Sequence, residues 1–331
     1  MNINIKKEKD FIYQDFSRSD LKVKLARLAR ICENFEIPVM ILVDGWESSG
    51  RGYVVSEITK ELNPKYFDVD VSDEDKKDGD YSFIINAWKN VPAQSHIKIF
   101  THSYYFDLFE SRISEIRNLE KMLSDNNTII IKIFLDIDQD VQEQRIKDLK
   151  DSVKRPFYID SIDKTQSQNY KDYEKNFSKI LSMSSYDFAR WNVIESNDMK
   201  NAVKEALGLV IDQMTIGIER VGNQLKDKDR TTRSYSRKVH IIENLDLSKK
   251  FSEDEYKEKK DKLQKEVAET MYKLYNAGIS SALVFEGVDA AGKDGAIKRL
   301  IKEVDPRLYR VHAISAPTPE ELAKHYLWRF Y

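Results

Sequence analysis

The stretch that decides the fold is residues 283–300, LVFEGVDAAGKDGAIKRL. Residues 282–285 form an apolar run of the length and composition of a buried parallel strand. The chain then turns through Gly287-Val288-Asp289-Ala290-Ala291-Gly292-Lys293 and continues as a helix with Ala296, Ile297, Leu300 and Ile301 on one face. Strand, glycine loop with lysine, and helix together make G-x-x-x-x-G-K a phosphate-binding loop, because backbone N–H groups and the helix N-terminus surround an anion and lysine adds a mobile charge. Without that context the pattern would be an ordinary glycine turn.

Outward from this stretch, further apolar runs alternate with helical patterns. Residues 38–43, 66–71, 96–100, 128–135 and 191–194 read as strands. Helices are expected at 21–34 with Asp20 as cap, at 51–62, around Phe83 to Trp88, at 104–119 and at 201–214, with a charged loop at 72–80. This alternation predicts an α/β, kinase-like doubly wound parallel sheet. Residues 138–181 are polar and helical with little core-facing stripe, which suggests a projecting lid carrying Lys154 and Arg155. Residues 216–250 have no clean period and read as a connection; Ser252 with Glu255 forms a capping box opening a helix to about Ala277.

The glycine loop occurs twice. Gly45 and Gly287, Gly50 and Gly292, and Pro64 and Pro306 are each 242 positions apart, which indicates a duplicated domain. The expected division is residues 1–215 for a first copy with its lid, 216–250 for the linker, and 251–331 for the start of a second copy. By the same offset the second copy's remaining strands, its second metal-binding carboxylate and its lid fall past residue 331. The chain is therefore expected to be a C-terminally truncated piece of a longer two-domain protein.

The two loops differ in chemistry. In the second, Gly287, Ala290, Ala291, Gly292 and Gly295 supply the phosphate-binding backbone, and Lys293 is the charge clamp. Asp294 replaces the usual Ser or Thr. Asp289 places a carboxylate beside the phosphates, which suggests that it helps hold Mg²⁺ or orients the accepting phosphate. In the first, Gly45, Gly50 and Gly52 remain, but Glu47 stands for Asp289 and Arg51 for Lys293, and Arg lacks the compact ammonium geometry. The strand at 96–100 runs into Thr101-His102, where phosphoryl transfer wants a metal-binding aspartate. A degenerate, structural first copy is the expectation.

These residues resemble the polyphosphate kinase 2 family, in its two-domain polyphosphate:AMP phosphotransferases. The match rests on FEGVDAAGKDGAIKRL at 285–300, is extended by 304–331 and 245–256, and includes lid-like and final-strand segments at 154–177 and 186–202. IFTHSYYFDLFE at 99–110 stands where the family has a strand ending in Asp-Arg-Ser-Trp-Tyr; Ser103 and Tyr105 match, Thr101 and His102 do not. The resemblance implies phosphoryl transfer from inorganic polyphosphate to AMP, with Asp289 acting on metal and acceptor phosphate and Lys293 on the transferred group. An ATP-dependent nucleotide kinase, or a non-catalytic fragment that binds phosphate or pairs with another subunit, are the alternatives.

Composition bounds the rest. The 331 residues carry 54 Lys and Arg against 56 Asp and Glu, a formal charge of −2, so there is no global attraction to nucleic acid. The one cysteine, Cys32, excludes an internal disulfide framework and fits a reducing compartment. No apolar run approaches the ~20 residues of a membrane span, and the five histidines show no metal-ligand spacing. A cytoplasmic homo-oligomer is expected.

Overall fold

The computed structural model describes residues 13, 15–70, 84–85, 87–105, 112–150, 161–231, 246, 248–305, 308–314 and 316–330. The expected loop at 72–80, Phe83, the Lys154-Arg155 pair, residues 232–245 and Pro306 lie outside them. The chain forms two compact units, Met1–Arg233 with Pro317–Tyr331, and Ser234–Ala316.

The first unit is built on five parallel strands, β1 (Val39–Gly45), β2 (Phe67–Asp70), β3 (Ile97–Phe100), β4 (Ile129–Asp136) and β5 (Trp191–Glu195), in the order β2-β3-β1-β4-β5. Every residue of β1 is buried, because neighbours pair on both edges and helices cover both faces. The strand period of two sorts the core. Val39, Ile41, Val43, Ile129, Ile131 and Ile133 face one layer, formed by α1 (Arg18–Asn34), α2 (Arg51–Thr59) and α7 (Met199–Thr231). Met40, Leu42, Ile130 and Phe134 face the other, formed by α3 (Ile113–Asp125), α6 (Tyr170–Ser184) and the segment around Trp88. Between β4 and α6 come α4 (Gln139–Lys150) and α5 (Ser161–Gln168).

Several local expectations shift. Ser17, not Asp20, caps α1: its hydroxyl accepts the Asp20 N–H at 3.1 Å while the Asp20 carboxylate accepts the Ser17 N–H, so Asp20 is the third residue of a capping box. The helix expected at 104–119 is observed as α3, Ile113–Asp125; residues 104 and 105 form a turn that buries Tyr105. The closing helix does not stop near 214 but runs to Thr231. Arg220 holds it there, donating to the Ser124 and Thr128 carbonyls at 2.9 Å. The region expected to project has core contacts: Phe177, Leu181 and Ile146 are buried, and Phe177 packs edge-on against Phe134. Among the described residues no helix is long and apolar enough to cross a membrane.

In the second unit α8 (Glu253–Asn276) begins at the expected capping box of Ser252 and Glu255, and α9 (Lys293–Leu300) follows the glycine loop. The strand expected at 282–285 does not form. Leu283 and Val284 are 69% and 80% exposed, and no described segment pairs with them. β1, its equivalent in the first unit, is paired on both edges, by β3 and β4; no such pairing is seen at 282–285 among the described residues. A short element in the first unit, α10 (Pro319–Leu322), precedes a turn of 3₁₀ helix at Trp328–Phe330.

Candidate active site

The two copies adopt one backbone conformation at the 242-residue offset. Gly50 and Gly292 cap their helices in left-handed geometry, φ 95° and 88°, and Ser48 and Ala290 are also left-handed, φ 58° and 61°. The Ser49 N–H donates to the Trp46 carbonyl at 3.1 Å, and Ala291 to Val288 at 3.2 Å. Val54 donates to Gly50 and Ala296 to Gly292, each at 3.0 Å. The correspondence extends outside the loop: Ile37 donates to Cys32 at 2.8 Å and Ile279 to Leu274 at 2.9 Å, while Glu36 and Gly278 are both left-handed. The duplication read from three glycine and proline spacings is therefore a duplication of backbone hydrogen bonds.

The side chains around the first loop occupy it. Glu47 bridges Arg51 at 2.6 Å, and the other guanidinium nitrogen lies 3.0 Å from His102 Nδ1. The Glu47 N–H donates to Gln166 Oε1 at 2.8 Å and its carbonyl accepts from Gln142 at 2.9 Å. Arg145 donates to the carbonyls of Ser48, Ser49, Ser196 and Asn197. Trp46 fills the floor, stacked on Tyr170 with ring centroids 4.0 Å apart and donating to Asp136 at 2.7 Å. A loop amide and cation that would meet an anion are thus engaged by Gln166, Glu47 and His102. Gly52 is the second residue of α2, and a Cβ there would meet nothing within 4 Å.

Asp44, at the end of β1, is fully buried. One carboxylate oxygen accepts the Ser103 N–H at 2.7 Å, and burial raises its pKa against the opposing effect of Ser103, His102 and Arg51. Sequence reasoning missed Asp44, Gln142, Arg145 and Gln166. The repeat register held a signal for Asp44, which aligns with Glu286; the other three contact the loop from distant helices and leave no local pattern.

The second loop is open. Gly287, Ala290, Ala291 and Gly292 lie with Asp289 on the exposed turn, and Asp294 and Gly295 occupy the first turn of α9. Lys293 Nζ folds back to the Gly287 and Val288 carbonyls at 2.7 and 3.0 Å, which holds the ammonium at the loop. Asp289 stands four residues before Lys293, as Glu47 stands before Arg51, yet only the longer Glu47 makes the ion pair among the described contacts. Among the described residues no group of three or more His, Cys, Asp or Glu could hold a metal ion.

A five-stranded parallel sheet with a glycine loop between β1 and the following helix defines a protein of the phosphate-loop kinase type. The family model for polyphosphate kinase 2 matches residues 8–220 and 250–331, and the chain belongs to that family. It is 27% identical to a polyphosphate:AMP phosphotransferase of Pseudomonas syringae pv. tomato, over 88% of this chain, and 28% identical to that of Pseudomonas aeruginosa, over 89%. The chain spans 62% of the length of both relatives. Among solved structures it resembles a putative polyphosphate kinase 2 from Pseudomonas aeruginosa PA01, with TM-score 0.65, 23% identity, and coverage of 95% of this chain and 64% of that one. It also resembles polyphosphate kinase 2 from Arthrobacter aurescens TC1, with TM-score 0.56, 21% identity, and coverage of 60% and 77%. These two likenesses establish the fold.

Proposed function

We propose that the protein transfers a phosphoryl group from inorganic polyphosphate to AMP, giving ADP, and that the second loop is its phosphate site. The observation that carries this reading is the contrast between two loops of one conformation: Glu47 engages Arg51 in the first, while Lys293 rests on loop carbonyls in the second. The names of the relatives, polyphosphate:AMP phosphotransferases, support the donor and acceptor. In this reading the backbone from Gly287 to Gly295 wraps the phosphate oxygens, Lys293 leaves its two carbonyls for the transferred group, and Asp289 orients the acceptor. Residues 1–215 act as a degenerate copy, 216–250 as a linker and 251–331 as the start of the working domain.

Mg²⁺ fits the carboxylate present. Magnesium sites commonly use one or two carboxylates completed by substrate phosphates and water, a role that suits Asp289 on the exposed turn. Asp289 would hold the ion, and the ion would neutralise charge on the phosphate oxygens. A formal charge of −2 gives no global attraction to nucleic acid; in this reading the protein is a cytoplasmic homo-oligomer.

The test is ADP formation from AMP with polyphosphate or ATP as donor. Polyphosphate should be preferred, and Lys293→Ala should reduce the rate by about 10²-fold or more, the usual effect of losing one such stabilising group. Preference for ATP, or an unaffected Lys293→Ala variant, would overturn the reading.

A further inference from the structure

β1 runs from Val39, paired with Ile97, to Gly45 at the first loop, so the start of β3 lies at the opposite end of the sheet from that loop. A cavity of about 470 Å³ opens there, between α1, the end of α2 and the turns that lead into β2 and β3. Small-molecule sites commonly span roughly 300–1,000 Å³. The space is left by small residues on α1. Ala26 and Ala29 share a face with Arg30 and Glu33 at helical spacing, and they do not fill the gap beside Leu62 and Ile97.

The wall is fixed by bonds of its own. Ser95, left-handed at φ 66°, donates its hydroxyl to the Glu33 carbonyl at 3.0 Å. The Glu33 carboxylate accepts from the Tyr66 hydroxyl, and the Ile97 N–H donates to the Tyr66 carbonyl at 2.8 Å. Two lining charges are uncommitted: among the described residues neither the Arg30 nor the Glu61 side chain has an ion-pair or hydrogen-bond partner.

Charge and shape together define a ligand. Among the described lining residues one guanidinium faces two carboxylates, Glu33 and Glu61. α1 ends beside them with no basic residue in its last turn, so the negative end of the helix adds to the acidic excess. A complementary molecule brings one carboxylate for the planar fork of Arg30, cationic groups for the acidic side, and an apolar stem for the floor of Ala26, Ala29, Leu62 and Ile97. A basic α-amino acid has these parts.

We propose that this cavity binds a free basic α-amino acid, its carboxylate on Arg30, its ammonium groups toward Glu61 and Glu33, and its methylene stem along Ala26 and Ala29. The site draws on neither glycine loop.

The test is isothermal titration calorimetry of the full chain with L-lysine, beside L-norleucine, which lacks the terminal ammonium, and cadaverine, which lacks the carboxylate. L-Lysine should bind about tenfold or more tightly than either. Arg30→Met and Glu61→Gln should each weaken L-lysine binding by about tenfold or more, the usual effect of losing a charged hydrogen-bond partner. Both side chains are exposed, so each variant should unfold as the wild type does. Lys293→Ala should bind L-lysine like the wild type, which separates this site from the phosphate site. Absence of binding at millimolar L-lysine, equal binding of norleucine or cadaverine, or unchanged binding in Arg30→Met and Glu61→Gln would overturn the proposal.

Discussion

A single buried carboxylate sets much of the electrostatics of the first loop. Asp44 is removed from water at the end of β1 and has one strong donor, Ser103. Its folded pKa is raised, so the stability attached to its neutral form is fully present below the unfolded value of 3.8 and is lost as pH rises through the folded value. Asp44→Asn removes that titration. The melting temperature of the variant relative to the wild type should therefore climb as pH rises above 3.8 and become flat below it; a difference independent of pH would contradict the assignment. Gly45 is governed by space instead. A Cβ there would sit 2.4 Å from the Leu135 carbonyl oxygen, with φ at 151°. Gly45→Ala should lower stability by several kcal/mol, as strained backbone and overpacking together do, read by denaturant unfolding. The glycine was legible in the sequence as part of a loop; its contact with β4 was not, since that depends on a register formed 90 residues away.

At the scale of elements, β4 shows why a clear strand can hide a charge. Residues 128–135 read as a strand from their apolar run, and Ile129–Asp136 is one, yet Lys132 within it is fully buried. Strand alternation sends Lys132 to the same face as Ile130 and Phe134, where Glu120 of α3 meets it at 2.5 Å and Tyr105 accepts from it at 2.8 Å. Burial lowers the Lys132 pKa and raises that of Glu120, each opposed by the other's charge. Lys132→Met alone should cost about 3–5 kcal/mol by stranding Glu120, and adding Glu120→Leu should recover at least half of it. Equal loss in the single and double variants, measured by urea titration, would contradict the coupling. The order of strands and helices was legible because apolar runs and helical periods are local signals. The ends of α1 and α7 were not, because a capping box at Ser17 and an Arg220 clamp on Ser124 and Thr128 decide them. The run at 282–285 has strand composition but pairs with no strand among the described residues, and composition without pairing leaves it exposed.

For the whole molecule, the duplication is the organising fact. Hydrogen bonds repeat at a fixed offset through the helix end, the loop and the following helix. Backbone is therefore not what separates the copies. The difference lies in what the side chains do: Glu47, Gln166 and His102 engage the first loop's charge and amide, and Lys293 in the second donates to the Gly287 and Val288 carbonyls. The substitutions at Glu47 and Arg51 were visible in sequence, and the mismatch at His102 was too; their assembly into one cluster required the fold.

The central claim, that the second loop and not the first meets the phosphate chain, is tested most directly by the affinity of end-labelled polyphosphate for the protein, read by fluorescence anisotropy with Mg²⁺ present. Lys293→Ala should weaken binding at least tenfold while Arg51→Ala leaves it within twofold. Loss of binding in Arg51→Ala with Lys293→Ala unaffected would contradict the account.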